Sequence, residues 1–264
     1  MSHNNRRKYK NMQNTNHSSS IGEIIDKGTN IPASAKIQEG KTINNKNRNI
    51  AKLLSAIVIG ITTITFILFA HPLYYIMMAL SGIIGIIEWN RSCHFQTKDM
   101  ILGLFIVLPP VFFLMGSLAN SSEYPYIMVW YFSIVWATDT FAMLGGKIFQ
   151  KIVSPNVGKL APHISPNKTL AGFATGLFAG TLIGSIGLHL FHNDISGVVL
   201  HDVNLILMAF LISLLAQAGD LFMSYFKRKF QVKDFGDTIP GHGGVLDRLD
   251  SLMLSSPLIL WLIG

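Results

Sequence analysis

Long apolar segments separated by short polar connections dominate the chain after residue 49. Each segment has close to the length of about 20 residues that an α-helix needs to cross the hydrocarbon core of a bilayer. The pattern predicts seven such helices, at residues 50–70, 72–89, 100–119, 124–146, 169–191, 203–226 and 245–264. The expected fold is therefore all-α, an integral membrane protein built as a polytopic bundle of about seven transmembrane helices.

Composition agrees with a membrane protein and divides the chain into two parts. Of the 264 residues, 50% are hydrophobic and 13% are charged, whereas soluble domains carry about 25% charged residues. The first 49 residues are polar and hold nine Lys and Arg against three acids. We therefore expect a disordered basic tail at 1–49 and a transmembrane domain at 50–264. The single Cys93 excludes an intramolecular disulfide framework.

The positions of Lys and Arg predict the orientation of the helices. These residues follow the second, fourth and sixth apolar segments, whereas the alternate connections, near His71, at 120–123 and at 192–202, contain none. Connections rich in Lys and Arg remain in the cytoplasm. We therefore expect the N-terminus inside and the C-terminus outside.

Four aspartates at the cytoplasmic ends of three predicted helices are the candidates for chemistry. Asp139 lies in the fourth helix, Asp220 lies in the sixth, and Asp247 and Asp250 open the seventh. Acidic groups near the ends of apolar helices are costly and call for an explanation. A nearby Lys or Arg partner explains any one of them equally well, but four acids at one face favour a common site.

The connection between the sixth and seventh helices is the densest polar stretch of the chain. Its cations suit a polyphosphate, because Arg binds phosphate oxygens in a fork and Lys adds point charges. A positively charged anchor at the cytoplasmic face is the plainer alternative. The glycines of 241–244, directly before a helix, offer backbone N–H groups to an anion. Acids among these cations suggest a divalent metal that bridges to phosphate.

This connection resembles the signature of the phosphatidate cytidylyltransferase family. The resemblance is carried by Ser224-Tyr225-Phe226-Lys227-Arg228, Lys233-Asp234-Phe235-Gly236 and Ile239-Pro240-Gly241-His242-Gly243-Gly244-Val245-Leu246-Asp247-Arg248-Leu249-Asp250. Other stretches similar to the family are Glu88-Trp89, Asp139-Thr140-Phe141-Ala142, Ser165-Pro166-Asn167-Lys168-Thr169 and Gly219-Asp220-Leu221. The match covers most of 130–255 and is very specific.

The resemblance implies a membrane nucleotidyltransferase that converts CTP and phosphatidic acid into CDP-diacylglycerol and pyrophosphate with Mg²⁺. It implies metal binding by Asp220 and Asp247. The catalytic group that we infer from it consists of Asp220, Asp247, Asp250, Lys227 and Arg228. The expected substrate-binding residues are Ser165, Lys168, Thr169, Ser224, Lys233, Asp234, His242, Gly243, Gly244, Arg248 and Asp139. The expected location is a bacterial-type inner (plasma) membrane, with the active site at the cytoplasmic interface.

The expected partners are CTP, phosphatidic acid in the bilayer and membrane lipids, with a homodimer left open and no nucleic acid. Two alternatives also stay open. One is a cytidylyltransferase for another phospholipid, such as an isoprenoid-linked one. The other is a transporter, which would need charge near the bilayer midplane.

One residue departs from the family pattern. Ala171 stands where the family usually has Glu, two residues after the pair Lys168-Thr169. The chain therefore lacks a carboxylate beside the expected site, and we expect the remaining acids to suffice for catalysis.

Overall fold

The computed structural model describes residues 54–120, 125–153, 158–191, 204–239 and 243–263, and the expected tail at 1–49 lies outside these ranges. All described residues belong to one compact unit, Leu54–Gly264. The helices within them are α1 (Leu54–Phe69), α2 (His71–Ser92), α3 (Thr97–Asn120), α4 (Tyr126–Ile152), α5 (Leu170–Leu190), α6 (Leu205–Lys229), α7 (Leu246–Leu249) and α8 (Leu252–Ile263). The strands are β1 (Lys159–Ala161) and β2 (Ser165–Thr169).

Five helices, α2 to α6, are long and apolar enough to cross a membrane. This confirms the predicted all-α membrane fold, and each of the five corresponds to one predicted segment. The first and seventh predicted segments correspond to shorter apolar helices, α1 and α8. The protein is therefore an integral membrane protein whose described part is a helix bundle.

The seventh predicted segment differs from the expectation of one continuous helix. It is divided into α7, which has four residues, and α8, which has 12. Asp250 and Ser251 lie in the break between them. A helix of 12 residues is shorter than the stretch of about 20 that crosses a bilayer. The break places Asp250 at the wall of a cavity, described below.

Local sequence explains where the long helices begin. Pro72 lies in the first turn of α2, where its missing N–H costs no hydrogen bond, and it divides α2 from α1. Thr169 caps α5 by accepting a hydrogen bond from the Gly172 N–H at 2.9 Å. Asn204 caps α6 in the same way through two N–H groups. These caps fix the ends of the helices that carry the polar residues.

A β-hairpin between α4 and α5 was not part of the all-α prediction. Strands β1 and β2 pair antiparallel, with Lys159 opposite Thr169 and Ala161 opposite Ser165. Its strands are only three and five residues long, so they show no alternating pattern of apolar and polar residues that would reveal a strand. The hairpin delivers Lys168 and Thr169 to the start of α5.

Helices α4 and α5 approach each other closely through small residues. A Cβ atom at Gly172 would lie 2.6 Å from the carbonyl oxygen of Ala142, and one at Gly176 would lie 2.8 Å from that of Thr138. Glycine is therefore required at both positions, as is common where transmembrane helices meet. This contact holds the N-terminal end of α5 beside the part of α4 that carries Asp139.

Candidate active site

A cavity of about 580 Å³ is bounded by α4, the β-hairpin, the first turn of α5, α6, and the polypeptide from α7 to the start of α8. It brings together eight of the residues that the sequence singled out. They are Asp139, Lys168, Thr169, Asp220, Lys227, Asp247, Arg248 and Asp250. The four aspartates of three predicted helices therefore line one cavity.

Lys168 and Asp220 form an ion pair at the wall of this cavity. The Lys168 Nζ lies 2.7 Å from the Asp220 Oδ2, and the two side chains are 25% and 31% exposed. Ser224, one turn further along α6, donates a hydrogen bond to the other oxygen, Asp220 Oδ1, at 3.4 Å. The exposed fractions leave both charged groups open to a ligand in the cavity.

Lys227 lies between two carboxylates. Its Nζ is 2.7 Å from the Asp247 Oδ1 and 3.6 Å from the Asp250 Oδ2. The Lys227 and Asp247 side chains are only 11% and 2% exposed, and one charge of each sign offsets part of the desolvation cost. This buried group joins α6 to α7.

Two backbone N–H groups fix the other oxygen of Asp247. The Oδ2 atom accepts hydrogen bonds from the N–H groups of Phe235 and Gly244, each at 2.9 Å. Asp247 therefore joins the polypeptide that follows α6 to the turn before α7. Its carboxylate has little freedom to move.

The remaining two acids stand at the cavity wall nearest α8. Ser251 donates a hydrogen bond to Asp139 Oδ2 at 2.7 Å, which links α4 to the break before α8. Burial raises the pKa of the Asp250 carboxyl above its ordinary value, and the negative charge of nearby Asp220 raises that pKa further. A cation bound beside Asp250 and Asp220 would favour the charged form of the Asp250 carboxyl.

Seven other predicted site residues do not line the cavity. These are Ser165, Ser224, Arg228, Lys233, Asp234, Gly243 and Gly244. Ser224 and Gly244 contact its aspartates Asp220 and Asp247. Arg228 is exposed and donates from its Nε to the Ile164 carbonyl oxygen at 3.0 Å, so that it ties α6 to the hairpin. Predicted His242 lies outside the described residues.

Several cavity residues were missed by reasoning from the sequence. Their polar members include Lys147, Gln150, Asn167, Gln217 and Ser251. Asn167 lies inside the stretch 165–169, whose resemblance to the family was the available signal. Single amides on an apolar helix, such as Gln150 and Gln217, carry no such signal.

The donor chemistry of the cavity fits a divalent cation. The partly exposed Asp220 carboxylate and the Asp247 Oδ1, which has the Lys227 Nζ 2.7 Å away as its partner, offer oxygen atoms of the kind that such an ion binds. Within the described ranges, no three His, Cys, Asp or Glu side chains form a metal cluster. Beside a nucleotide, Mg²⁺ is usually bound by about one or two protein carboxylates together with phosphate oxygens of the nucleotide. The residues therefore suit an ion that is bound together with substrate.

Comparison with known proteins adds a family match over most of the chain. A model of the cytidylyltransferase family matches residues 40–264. This range includes every residue that lines the cavity.

Individual relatives agree with the family match. The phosphatidate cytidylyltransferase of Rickettsia felis is 36% identical over 228 residues, which cover 85% of this chain and 97% of the relative. That of Rickettsia bellii is 37% identical over 233 residues, covering 86% of this chain and 98% of the relative. That of Staphylococcus aureus (strain COL) is 45% identical over 138 residues, covering 52% of this chain and 49% of the relative. The similarity to the Rickettsia proteins thus extends over almost their whole length.

Proposed function

Because the chain belongs to the cytidylyltransferase family, we propose that it is a phosphatidate cytidylyltransferase, which transfers the cytidylyl group of CTP to phosphatidic acid. The products are CDP-diacylglycerol and pyrophosphate. One substrate is a lipid, and five helices of the chain are long and apolar enough to span the bilayer in which that lipid resides.

The observation that carries this proposal is the position of Lys227 between Asp247 and Asp250, in the same cavity as the Lys168–Asp220 ion pair. Lysines bind phosphate oxygens as point charges, and carboxylates bind the metal that accompanies them. Neighbouring cations and acids therefore suit an enzyme with two phosphate-bearing substrates better than a transporter that moves a single ion.

The chemistry needs little activation of the nucleophile. A phosphate oxygen of phosphatidic acid is already anionic and attacks the α-phosphorus of CTP. A new P–O bond forms there, the bond between the α-phosphorus and the bridging oxygen to the β-phosphorus breaks, and pyrophosphate leaves with that electron pair. The obstacle is repulsion between two polyanions, so alignment and neutralisation of charge account for most of the catalysis.

Different residues of the cavity contribute to alignment and to neutralisation of charge. Lys168 is partly exposed and can exchange Asp220 for a phosphate oxygen of CTP. Arg248 lines the cavity and is exposed, so its guanidinium can bind a second phosphate group in a fork. Lys227 is buried and holds Asp247 and Asp250 in place. Eight further roles in catalysis or substrate binding stay predictions, namely those of Ser165, Ser224, Arg228, Lys233, Asp234, His242, Gly243 and Gly244.

Asp220 and Asp247 would hold Mg²⁺, with Asp250 beside them. When bound, the ion would neutralise charge on the phosphates and favour departure of pyrophosphate. Asp220 is the more accessible of the two ligands, whereas Asp247 is fixed by two backbone N–H groups.

We further place the cavity at the cytoplasmic face of a bacterial inner membrane, with the N-terminus inside. This placement is supported by the connections rich in Lys and Arg, which all fall on one side when the helices alternate in direction. CTP is a cytoplasmic nucleotide, so a site on this side can reach it. The homodimer and the absence of a nucleic-acid partner stay predictions.

The test uses purified protein in detergent with CTP, Mg²⁺ and one lipid at a time. The proposal expects a CDP-lipid and an equal amount of pyrophosphate with phosphatidic acid, and neither with phosphatidylcholine, which lacks a phosphate monoester. Product from an isoprenyl phosphate but not from phosphatidic acid would instead support the alternative of an isoprenoid-linked cytidylyltransferase. If no lipid gives pyrophosphate, the enzymatic function is wrong.

A further inference from the structure

Glu88, near the end of α2, is a buried carboxylate that does not line the cavity. Its Oε1 accepts hydrogen bonds from the Thr238 hydroxyl at 2.6 Å and from the Val245 N–H at 3.0 Å. Its Oε2 accepts one from the Leu246 N–H at 2.8 Å. A single side chain of α2 thus binds the polypeptide that follows α6 and the turn that leads into α7.

Glu88 acts as the N-terminal cap of α7. The first N–H groups of a helix lack partners within the helix, and a side chain at the cap position usually accepts from them. Val245 occupies that position in α7 and provides no such hydrogen bond. Glu88 supplies the missing acceptors from another helix, and therefore sets where α7 begins.

Gly244 shows how closely Glu88 and the cavity are connected. Its N–H donates to Asp247 Oδ2 at 2.9 Å, while a Cβ atom on it would clash with Glu88 Oε2. The backbone of Gly244 is therefore held between the two carboxylates. A displacement of Glu88 would move the residue that fixes Asp247.

The neighbour of Glu88 fixes α2 against α6. The ring of Trp89 packs on those of Phe226 and Phe235, with centroids 5.0 and 5.7 Å apart. Phe226 directly precedes Lys227, and Phe235 donates its N–H to Asp247. The carboxylate of Glu88 consequently has a fixed position relative to both members of the Lys227–Asp247 pair.

We propose that Glu88 is a positioning residue: it holds the turn at 243–246 so that Asp247 meets Lys227 in the cavity. Glu88 contacts neither substrate in this account and acts through α7. The kinetic consequence rests on the proposed cytidylyltransferase function, whereas the effect on the turn does not.

The test compares Glu88→Gln, Glu88→Ala and Thr238→Val as purified proteins. Gln keeps the length of Glu but presents an NH₂ group to one of the N–H donors, and Ala removes all three hydrogen bonds. Misplacement of an active group by about 1 Å costs up to about a hundredfold in rate, so we expect kcat to fall about tenfold in Glu88→Gln and about a hundredfold in Glu88→Ala. The KM for CTP should change less than kcat, because Lys168 of the β-hairpin, which we place on a phosphate of CTP, does not depend on the turn. Thr238→Val, which loses one hydrogen bond, should lower kcat least.

Amide hydrogen exchange supplies a readout that does not depend on turnover. In Glu88→Gln, the N–H groups of 243–249 should exchange faster, while those of 170–176 in α5 should not. The control is Ile67→Ala, which removes a buried side chain of α1 outside the cavity. We expect this variant to have a lower melting temperature and an unchanged kcat.

The outcomes separate the two proposals. Wild-type kcat in folded Glu88→Ala, or equal losses of kcat in Ile67→Ala and Glu88→Gln at the same melting temperature, would overturn the positioning role. If Glu88→Ala does not fold, Glu88→Gln and Thr238→Val decide in its place. If the wild-type protein gives no product at all, the proposed function fails, and unchanged exchange of 243–249 in Glu88→Gln would still refute this inference separately.

Discussion

The Lys168 Nζ lies 2.7 Å from the Asp220 Oδ2 and joins the β-hairpin to α6 at the cavity wall. The pair is partly exposed, so either group can exchange its partner for a ligand without the burial of an isolated charge. An ion pair of this kind can preserve the geometry of an empty substrate site. The pair can then dissociate when a phosphate group binds. Substitution of the cation therefore measures what the pair contributes to catalysis.

Lys168→Met should lower kcat/KM for CTP, because it removes a cation that can bind a phosphate oxygen. A hydrogen bond to a charged group contributes about 1.5–3 kcal/mol, which corresponds to about a ten- to a hundredfold decrease. The matched control is Lys151→Met, which removes an exposed cation in the last turn of α4 that does not line the cavity. Equal values of kcat/KM in the two variants would exclude Lys168 from substrate binding.

Asp247→Asn should abolish most turnover. The amide can still accept from Phe235 and Gly244, but it removes the negative charge beside Lys227 and from the expected metal site. We expect kcat to fall about a hundredfold or more, the scale of one lost electrostatic contact in an active site. Asp237→Asn, an exposed acid of the same connection that does not line the cavity, is the control. Near-normal turnover of Asp247→Asn across a range of Mg²⁺ concentrations would remove Asp247 from the metal role.

Ala171→Glu should lower the Mg²⁺ concentration that gives half the maximal rate. Ala171 is half-buried in the first turn of α5, next to Gly172 at the cavity wall. A carboxylate there would add negative charge near the expected metal site and strengthen cation binding. Ala174→Glu, at an exposed position of the same helix, should leave the Mg²⁺ dependence unchanged. The same dependence in both folded, active variants would show that position 171 does not help to hold the metal.

Single cysteines test the orientation of the helices. In a background where buried Cys93 is replaced by Ala, an impermeant thiol reagent added outside intact cells should modify Ser196→Cys and not Asp237→Cys. Asp237 is exposed, and permeabilised cells should allow its labelling. Labelling of Asp237→Cys alone from outside would show that the topology is the reverse of the proposed one and that the cavity does not face the cytoplasm.

The long helices could be predicted because their sequences are almost continuously apolar, and Pro72 marks the division between α1 and α2. The hairpin and the break at Asp250 could not be predicted. Both are short, and the hydrogen bonds that fix their surroundings join distant parts of the chain, as Ser251 does with Asp139. Such contacts leave no periodic pattern in the sequence.

The part of the candidate site that could be predicted from the sequence consists of charged residues at the ends of apolar helices. Asp139, Asp220 and Asp247 stood out for this reason, and all three line the cavity. Glu88 differs, because a lone acid near a helix end also suits an interface with water. Its hydrogen bonds to the turn before α7 became visible only in the folded structure.

We propose that this cavity transfers the cytidylyl group of CTP to phosphatidic acid. The most direct measurement follows a radioactive label on the α-phosphate or the γ-phosphate of CTP during turnover with phosphatidic acid. We expect the α-label to enter the lipid fraction, the γ-label to leave as pyrophosphate, and Asp247→Asn to slow both together. Absence of the α-label from the lipid with wild-type protein, or its transfer at an unchanged rate by Asp247→Asn, would show that this cavity does not catalyse the transfer.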